Sequence, residues 1–259
     1  MESVPEPRPL LHHFKKQVLG RCRLKAENEN LRSKLQNRKI ADAQLGQLKK
    51  VLDLAGKAEY KVVSAKVISQ GSSASFTQTI TIDAGTSSKI FENMTVISGF
   101  GLVGVVKKAY SNSALVQLAS DPAFKIGARI AGTQQIGILS GQGSRKGVLQ
   151  LLDNSTEVQV GDVLLARGSQ NGRPFVPGVP IGAVTKVDNS PGAVSQTAEV
   201  KFYANFSTLG VISVVVSNPK SDPRDALVPV KPMPTPIPTV TVYADPALAL
   251  PSPSPTSTR

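Results

Sequence analysis

Between Tyr60 and Val216 a turn residue arrives too often for this chain to build anything but short strands. KVVSAKVIS, TQTITID, MTVIS, GLVGVVKKAY, SALVQLA, RIAGT, IGILSG, GVLQLL, DVLLARG, IGAVTKV, AEVKFY and VISVVV are β-branched runs, and Gly, Pro, Asn, Asp or Ser punctuates them every 8–14 residues. β-Branched side chains fit a pleated surface, and the punctuating residues supply the reversals. No helical period separates the runs, so parallel strands with helical crossovers are excluded and antiparallel sandwiches or small barrels remain. Twelve runs divide into two six-stranded antiparallel β-barrels, the first over 60–120 and the second over 121–194, with a seam at Asp121-Pro122. Strands from 195–217 can complete the first. With 5% aromatic residues and no Trp, the cores must be aliphatic.

On either side of this mainly β region the pattern changes. From Arg21 to Gly56 the sequence reads as one helix, and Leu24, Asn28, Leu31, Leu35, Leu45 and Leu52 fall on spacings that fit a heptad seam. Asn at a seam position fixes a parallel two-stranded register at some cost in stability. Arg38, Asp42 and Lys49 interrupt the seam, so the expected stalk is a short, self-pairing coiled coil; the other reading is a helix packed on its own protein. Cys22 falls outside the seam and predicts no interchain disulfide. Residues 1–20 read as a flexible arm. From 218 to 259 Pro recurs every few residues with little that could pack, the pattern of a disordered tail.

The net charge of +12 is spread out: residues 1–60 carry 13 basic and 7 acidic side chains, and residues 61–217 carry 13 and 8. A diffuse excess suits anionic surfaces generally. Basic residues on the helix are interrupted by Glu27, Glu29 and Asp42 and lack interleaved aromatics, which argues against nucleic acid as a partner and leaves a basic coiled-coil adaptor or nucleic-acid-binding protein as the alternative reading. No apolar run approaches the ~18–20 residues that span a bilayer.

Sites of chemistry are scarce. Gly99, Gly101 and Gly104 spell G-x-G-x-x-G, but a dinucleotide fingerprint needs a helix after the glycines, and LVGVVKKAY is a strand. A hairpin fits better, with Gly99 and Gly101 at a positive-φ turn and Gly104 at a bulge or close backbone approach. GQGSRKG (141–147) lacks the residue order of a phosphate loop and reads as a basic hairpin tip. The only histidines, His12 and His13, precede the β region, so it cannot assemble a Ser-His-Asp triad. Asp83, Asp121, Asp153 and Asp162 sit in turn contexts that local hydrogen bonding explains. No cofactor, metal or small-molecule substrate is expected, and the chain does not read as an enzyme.

Three stretches carry a resemblance to the rod shape-determining protein MreC family. AENENLRSKL (26–35) is similar to its stalk repeat Glu-Asn-x-x-Leu. TITIDAGTSSKIFENMTVISGFGLVGVV (79–106) resembles its first barrel signature, through Asp83, Gly85, Met94, Gly101 and Gly104. VQVGDVLLARGSQNGRPFVPGVPIGAVTKV (158–187) resembles the second, through Gly161, Asp162, Pro177, Gly178 and Gly182. Lys89-Ile90 stands where the family has Gly-Val, Asn93 replaces the Gly before Met94, and Ala166-Arg167-Gly168 replaces Thr-Ser-Gly. The family's membrane-spanning helix, expected just before the stalk, has no counterpart here; either the start lies upstream or the segment has been lost.

The resemblance implies a non-enzymatic, homodimeric scaffold of the bacterial cell-wall elongation machinery, controlling cell shape from the extracytoplasmic face of the cytoplasmic membrane. The partners it implies are a membrane protein of the MreD type, a class B penicillin-binding transpeptidase and the linked glycan polymerase. Barrels without a catalytic inventory offer edges and loops for such contacts. Phe175, Val176 and Pro177, in the apolar, proline-stiffened FVPGVPIG, are the candidate contact patch, unless Phe175 plugs its own barrel.

Overall fold

The computed structural model describes residues 9–71, 77–133, 135–143, 145–152, 158–188, 196–217 and 222–229, with side chains from Arg23 onward. A helix α1 (Pro9–Lys57) leads into β1 (Lys61–Gln70), β2 (Thr79–Ile82), β3 (Thr95–Ser98), β4 (Gly101–Ala109) and β5 (Ala114–Leu118). Then come β6 (Lys125–Ile130), β7 (Ile136–Gly141), β8 (Lys146–Leu151), β9 (Val163–Ala166), β10 (Pro180–Asp188), β11 (Thr197–Phe202) and β12 (Val211–Ser217).

The strands close into two antiparallel barrels, in the orders β1-β12-β3-β4-β5-β2 and β10-β11-β8-β7-β6-β9. The expected pair of six-stranded barrels is present, with a different boundary. Only β12 returns to the first barrel; β11 pairs with β8 and β10, so the second barrel is an insertion running to Phe202 instead of ending at 194. Alternation decides this. β11 turns Ala198, Val200 and Phe202 inward and Lys201 outward, whereas the continuous apolar run of β12 is covered on one side by the barrel interior and on the other by α1. β6 starts at Lys125, ahead of the RIAGT run that announced it, because Ile126, Ala128 and Ile130 are its inward residues. Buried Ile80, Ile82, Val96 and Val106 fill the first barrel, and Ile126, Leu139, Leu149 and Phe202 the second. Each contributes about 1.5–3 kcal/mol by leaving water. Among the described strands closure leaves no unpaired edge, so contacts made by these barrels fall to loops and outer faces.

The helix begins at Pro9, which corrects the expectation of a flexible arm through residue 20; Pro is favoured at a first helical position because its missing N–H has no intrahelical partner there. Residues 1–8 and the side chains of His12, His13 and Cys22 lie outside the described part. At the other end, Tyr60 N–H donates to the Ala55 carbonyl at 3.0 Å and Glu59 N–H to Gly56 at 3.2 Å, with Glu59 left-handed at φ 56°. That double closure ends the helix without a glycine at the left-handed position. Among the described residues no helix is long and apolar enough to cross a membrane.

Within the tail expected to be disordered from residue 218, one short piece departs from the expectation. Residues 222–228 pack on the body, with Leu227 buried and Asp225 paired to Arg129 at 2.6 Å. Residues 218–221 and 230–259 lie outside the described part, as do Asp153 and Glu157.

Candidate functional site

The three glycines of the fingerprint mark where three parts of the molecule meet. Gly99 lies in the two-residue turn joining β3 to β4, and a Cβ there would overlap Lys50 of α1. Gly101 has φ 142°, and its Cβ would run into the carbonyl of Pro180, at the start of β10 in the other barrel. A Cβ on Gly104 would strike the Gln117 carbonyl of β5, beside a bulge between β3 and β4. The hairpin is as expected, but of the two turn glycines only Gly101 needs positive φ; Gly99 is required for the approach of the helix.

Around this hairpin the barrels are joined by the loop before β10. The Thr95 hydroxyl of β3 donates to the Pro174 carbonyl at 2.8 Å and accepts from Val176 N–H at 3.0 Å. Tyr60, directly after the helix, donates its hydroxyl to the Pro177 carbonyl at 2.5 Å. Burial, and then the Asp222 carboxylate, push the Tyr60 phenol above its ordinary pKa. The Phe175 ring meets Phe124 edge-on at 5.4 Å. Phe175 and Val176 are only 7% and 1% exposed, which removes them as a free contact patch: their apolar surface is spent on the seam. On the far side Asp121, fully buried, accepts from Gln78 N–H at 2.6 Å and from Ala123 N–H at 2.7 Å. Gln78 Nε2 donates to the Gly143 carbonyl at 2.6 Å, leaning the basic tip 141–147 against the first barrel.

The other motif residues shape backbone within each barrel. Asp83 Oδ1 accepts from Lys66 N–H at 2.6 Å, stitching β2 to β1 beside a register shift. Gly85 lets its turn lie against the Tyr110 carbonyl. Met94 is buried, its sulfur accepting from Phe91 N–H at 3.3 Å. Gly161 turns at φ 97°, and Asp162 accepts from Gln159 N–H at 2.9 Å. Gly178, φ 83°, has no room for a Cβ beside Pro223, and Gly182 none beside the Lys201 carbonyl. Lys89 and Asn93, which replace family glycines, adopt φ 62° and 60°, the left-handed conformations that glycine takes without strain.

The helix divides into two parts at this junction. Gln47 Oε1 accepts from Val211 N–H at 2.8 Å, Val51 is fully buried, and Lys50 Nζ lies 4.6 Å from the centre of the Phe100 ring. Above that, Leu24, Leu31, Leu35 and Leu45 are 53–67% exposed. A groove of about 580 Å³ lined by Leu31, Leu35 and Ala41 is followed by one of about 480 Å³ where Ala41, Leu45 and Leu48 face Ala65 of β1.

Sequence reasoning missed Thr95, Tyr60, Arg129 and Asp225. The signal was faint but present: Thr95 is a hydroxyl opening an apolar strand, and Arg129 is a charge beside an apolar pair.

Comparison with known proteins agrees with this architecture. The family model described as "Rod shape-determining protein MreC, barrel core" matches residues 67–216. The cell shape-determining protein MreC of Streptococcus pneumoniae is 32% identical over 176 residues, covering 65% of this chain and 64% of that protein. A solved structure described as MreC superposes with a TM-score of 0.60 at 24% identity, covering 68% of this chain and 98% of the other. The major periplasmic domain of the cell shape-determining filament MreC gives a TM-score of 0.53 at 31% identity, covering 60% and 95%. With the barrel core matched from β1 through β12, over more than half its length, this chain belongs to the rod shape-determining protein MreC family.

Proposed function

We propose that the chain is a non-catalytic scaffold of the cell-wall elongation machinery, working as a parallel homodimer on the outer face of the bacterial cytoplasmic membrane. The observation that carries this reading is the apolar trough running from Leu31 to Leu48 along α1, next to barrels whose own seam is already filled. A second copy of the helix fits the trough, because leucines on a heptad seam bury each other's surface in a two-stranded coil. Asn28, exposed on the same stalk, sets the register. The barrels, held at a fixed angle by the junction, present loops and outer faces to partners. Exposed Phe91 and Tyr110 on the first barrel, and Ile138 and Leu152 on the second, supply apolar contact surface. Family resemblance points to an MreD-type membrane protein, a class B penicillin-binding transpeptidase and the linked glycan polymerase as those partners.

The test is crosslinking in intact cells followed by recovery of this chain. A transpeptidase in the crosslinked fraction supports the scaffold; recovery of cytosolic proteins alone overturns it.

A further inference from the structure

The segment after β12 turns back onto the second barrel. Its turn is self-supported: Asp222 Oδ1 accepts from Arg224 N–H at 2.9 Å, and Ala226 N–H and Val228 N–H donate to the Pro223 and Asp225 carbonyls, each at 3.1 Å. From this turn two groups reach Arg129, Gly132 and Gly178, and a third is buried in the hydrophobic core cluster. Pro223 packs on Gly178, Asp225 spans two donors, and Leu227 is buried. Asp225 Oδ1 accepts from Arg129 Nη1 at 2.6 Å, and Oδ2 accepts from Gly132 N–H at 3.2 Å.

Arg129 is out of place unless it serves this contact. It sits in β6 opposite Leu165 and Ile136, its side chain is only 9% exposed, and its Nη2 is buried without a hydrogen-bond partner. A buried guanidinium is costly to keep unless a carboxylate faces it, and even now part of its donor fork is unused. Leu or Val at this outward strand position would pack without that cost. The guanidinium, the Gly132 amide and the apolar surroundings that bury Leu227 therefore form a built receptor, and the Asp225 side chain that fills its polar half is itself 41% exposed.

We propose that the second barrel carries a recognition socket for an acidic-x-aliphatic peptide segment, and that Asp225-Ala226-Leu227 occupies it in cis. Arg129 and the Gly132 amide read the carboxylate, and the apolar surroundings of Leu227 read the aliphatic side chain two residues on. Because the segment is tethered to β12 of the first barrel, its occupancy also clasps the two barrels together. A partner protein bearing such a segment competes with a tethered ligand, whose effective concentration is on the order of millimolar. The socket does not depend on the scaffold reading, since its test needs only the purified chain and a peptide.

The socket is emptied by the double substitution D225A/L227D, which leaves every barrel residue intact. A labelled peptide of residues 222–228 is then titrated against this variant and against the unsubstituted chain. Binding to the emptied protein is expected to be at least tenfold tighter, and adding Arg129→Gln should weaken it about tenfold or more. Equally weak binding to both proteins, or binding indifferent to Arg129, overturns the socket. The cis contact is read separately by amide hydrogen exchange in Asp225→Asn, where exchange at Gly132 should rise about tenfold. An unchanged Gly132 rate overturns the clasp.

Discussion

The two halves of α1 have similar composition but different surroundings. From Leu24 to Leu45 its leucines face solvent along a heptad seam. From Gln47 to Ala58 the side facing the barrel carries Gln47, Leu48, Val51, Leu54, Ala55 and Ala58, with Val51, Ala55 and Ala58 buried against the first barrel. Leu52 stays on the seam and stays exposed, so the two stripes run side by side down one helix before it ends at Lys57. Of the two readings of the stalk, the helix packed on its own protein describes the docked stripe, and the proposed pairing would use the exposed one. Buried Val51, Ala55 and Ala58 mark the docked stripe, with Gly99 of the barrel allowing the close approach; exposed leucines mark the other.

That contrast is open to breakage. The largest effect is expected from Val51→Asp, which buries a carboxylate with no partner and should lower unfolding stability by about 4 kcal/mol in denaturant titration. Leu31→Asp, the same chemistry on the exposed stripe, should leave that stability within about 0.5 kcal/mol while abolishing the proposed self-association in sedimentation. If both substitutions behave alike, the division of the helix is wrong. Next in size is Gly99→Ala, whose Cβ would overlap Lys50; an overpacking cost of about 2 kcal/mol is expected by the same titration.

Tyr60 sharpens the junction end of the comparison. Its folded-state pKa is raised, so the folded chain keeps a proton that the unfolded chain loses above about pH 10. Stability should therefore fall as pH rises past 10, by up to about 1.4 kcal/mol per pH unit from this group, and be unaffected by it below. Tyr60→Phe should show a shallower loss between pH 10 and 11; an identical slope would detach the phenol from the junction. The smallest effect is a gain. Lys89→Gly relieves a left-handed residue at φ 62° and should add about 1 kcal/mol, far from either stripe of the helix.

How much could be read beforehand varies with how local the cause is. Short β-branched runs and turn residues announced twelve strands, because pleat and reversal are decided within a few neighbouring residues. G-x-G-x-x-G was legible as a hairpin for the same reason: the residues after Gly104 favour a strand. What Gly99 and Gly101 avoid could not be read, since Lys50 and Pro180 come close only after folding. Phe175 shows the limit most clearly. An apolar, proline-stiffened loop looks the same in sequence whether it awaits a partner or cements a seam, and only Phe124, Thr95 and Tyr60 beside it distinguish the two.

By itself the sequence determined the elements and their number, the heptad seam and the family signatures, all properties of residues near one another along the chain. Tertiary structure decided that β12 and not β11 closes the first barrel, that the seam consumes Phe175 and Val176, and that Asp225 returns to Arg129. The physical reason is common to all three. Strand pairing, apolar burial and a buried ion pair are satisfied by whichever group the whole fold brings close, and sequence separation carries no record of that.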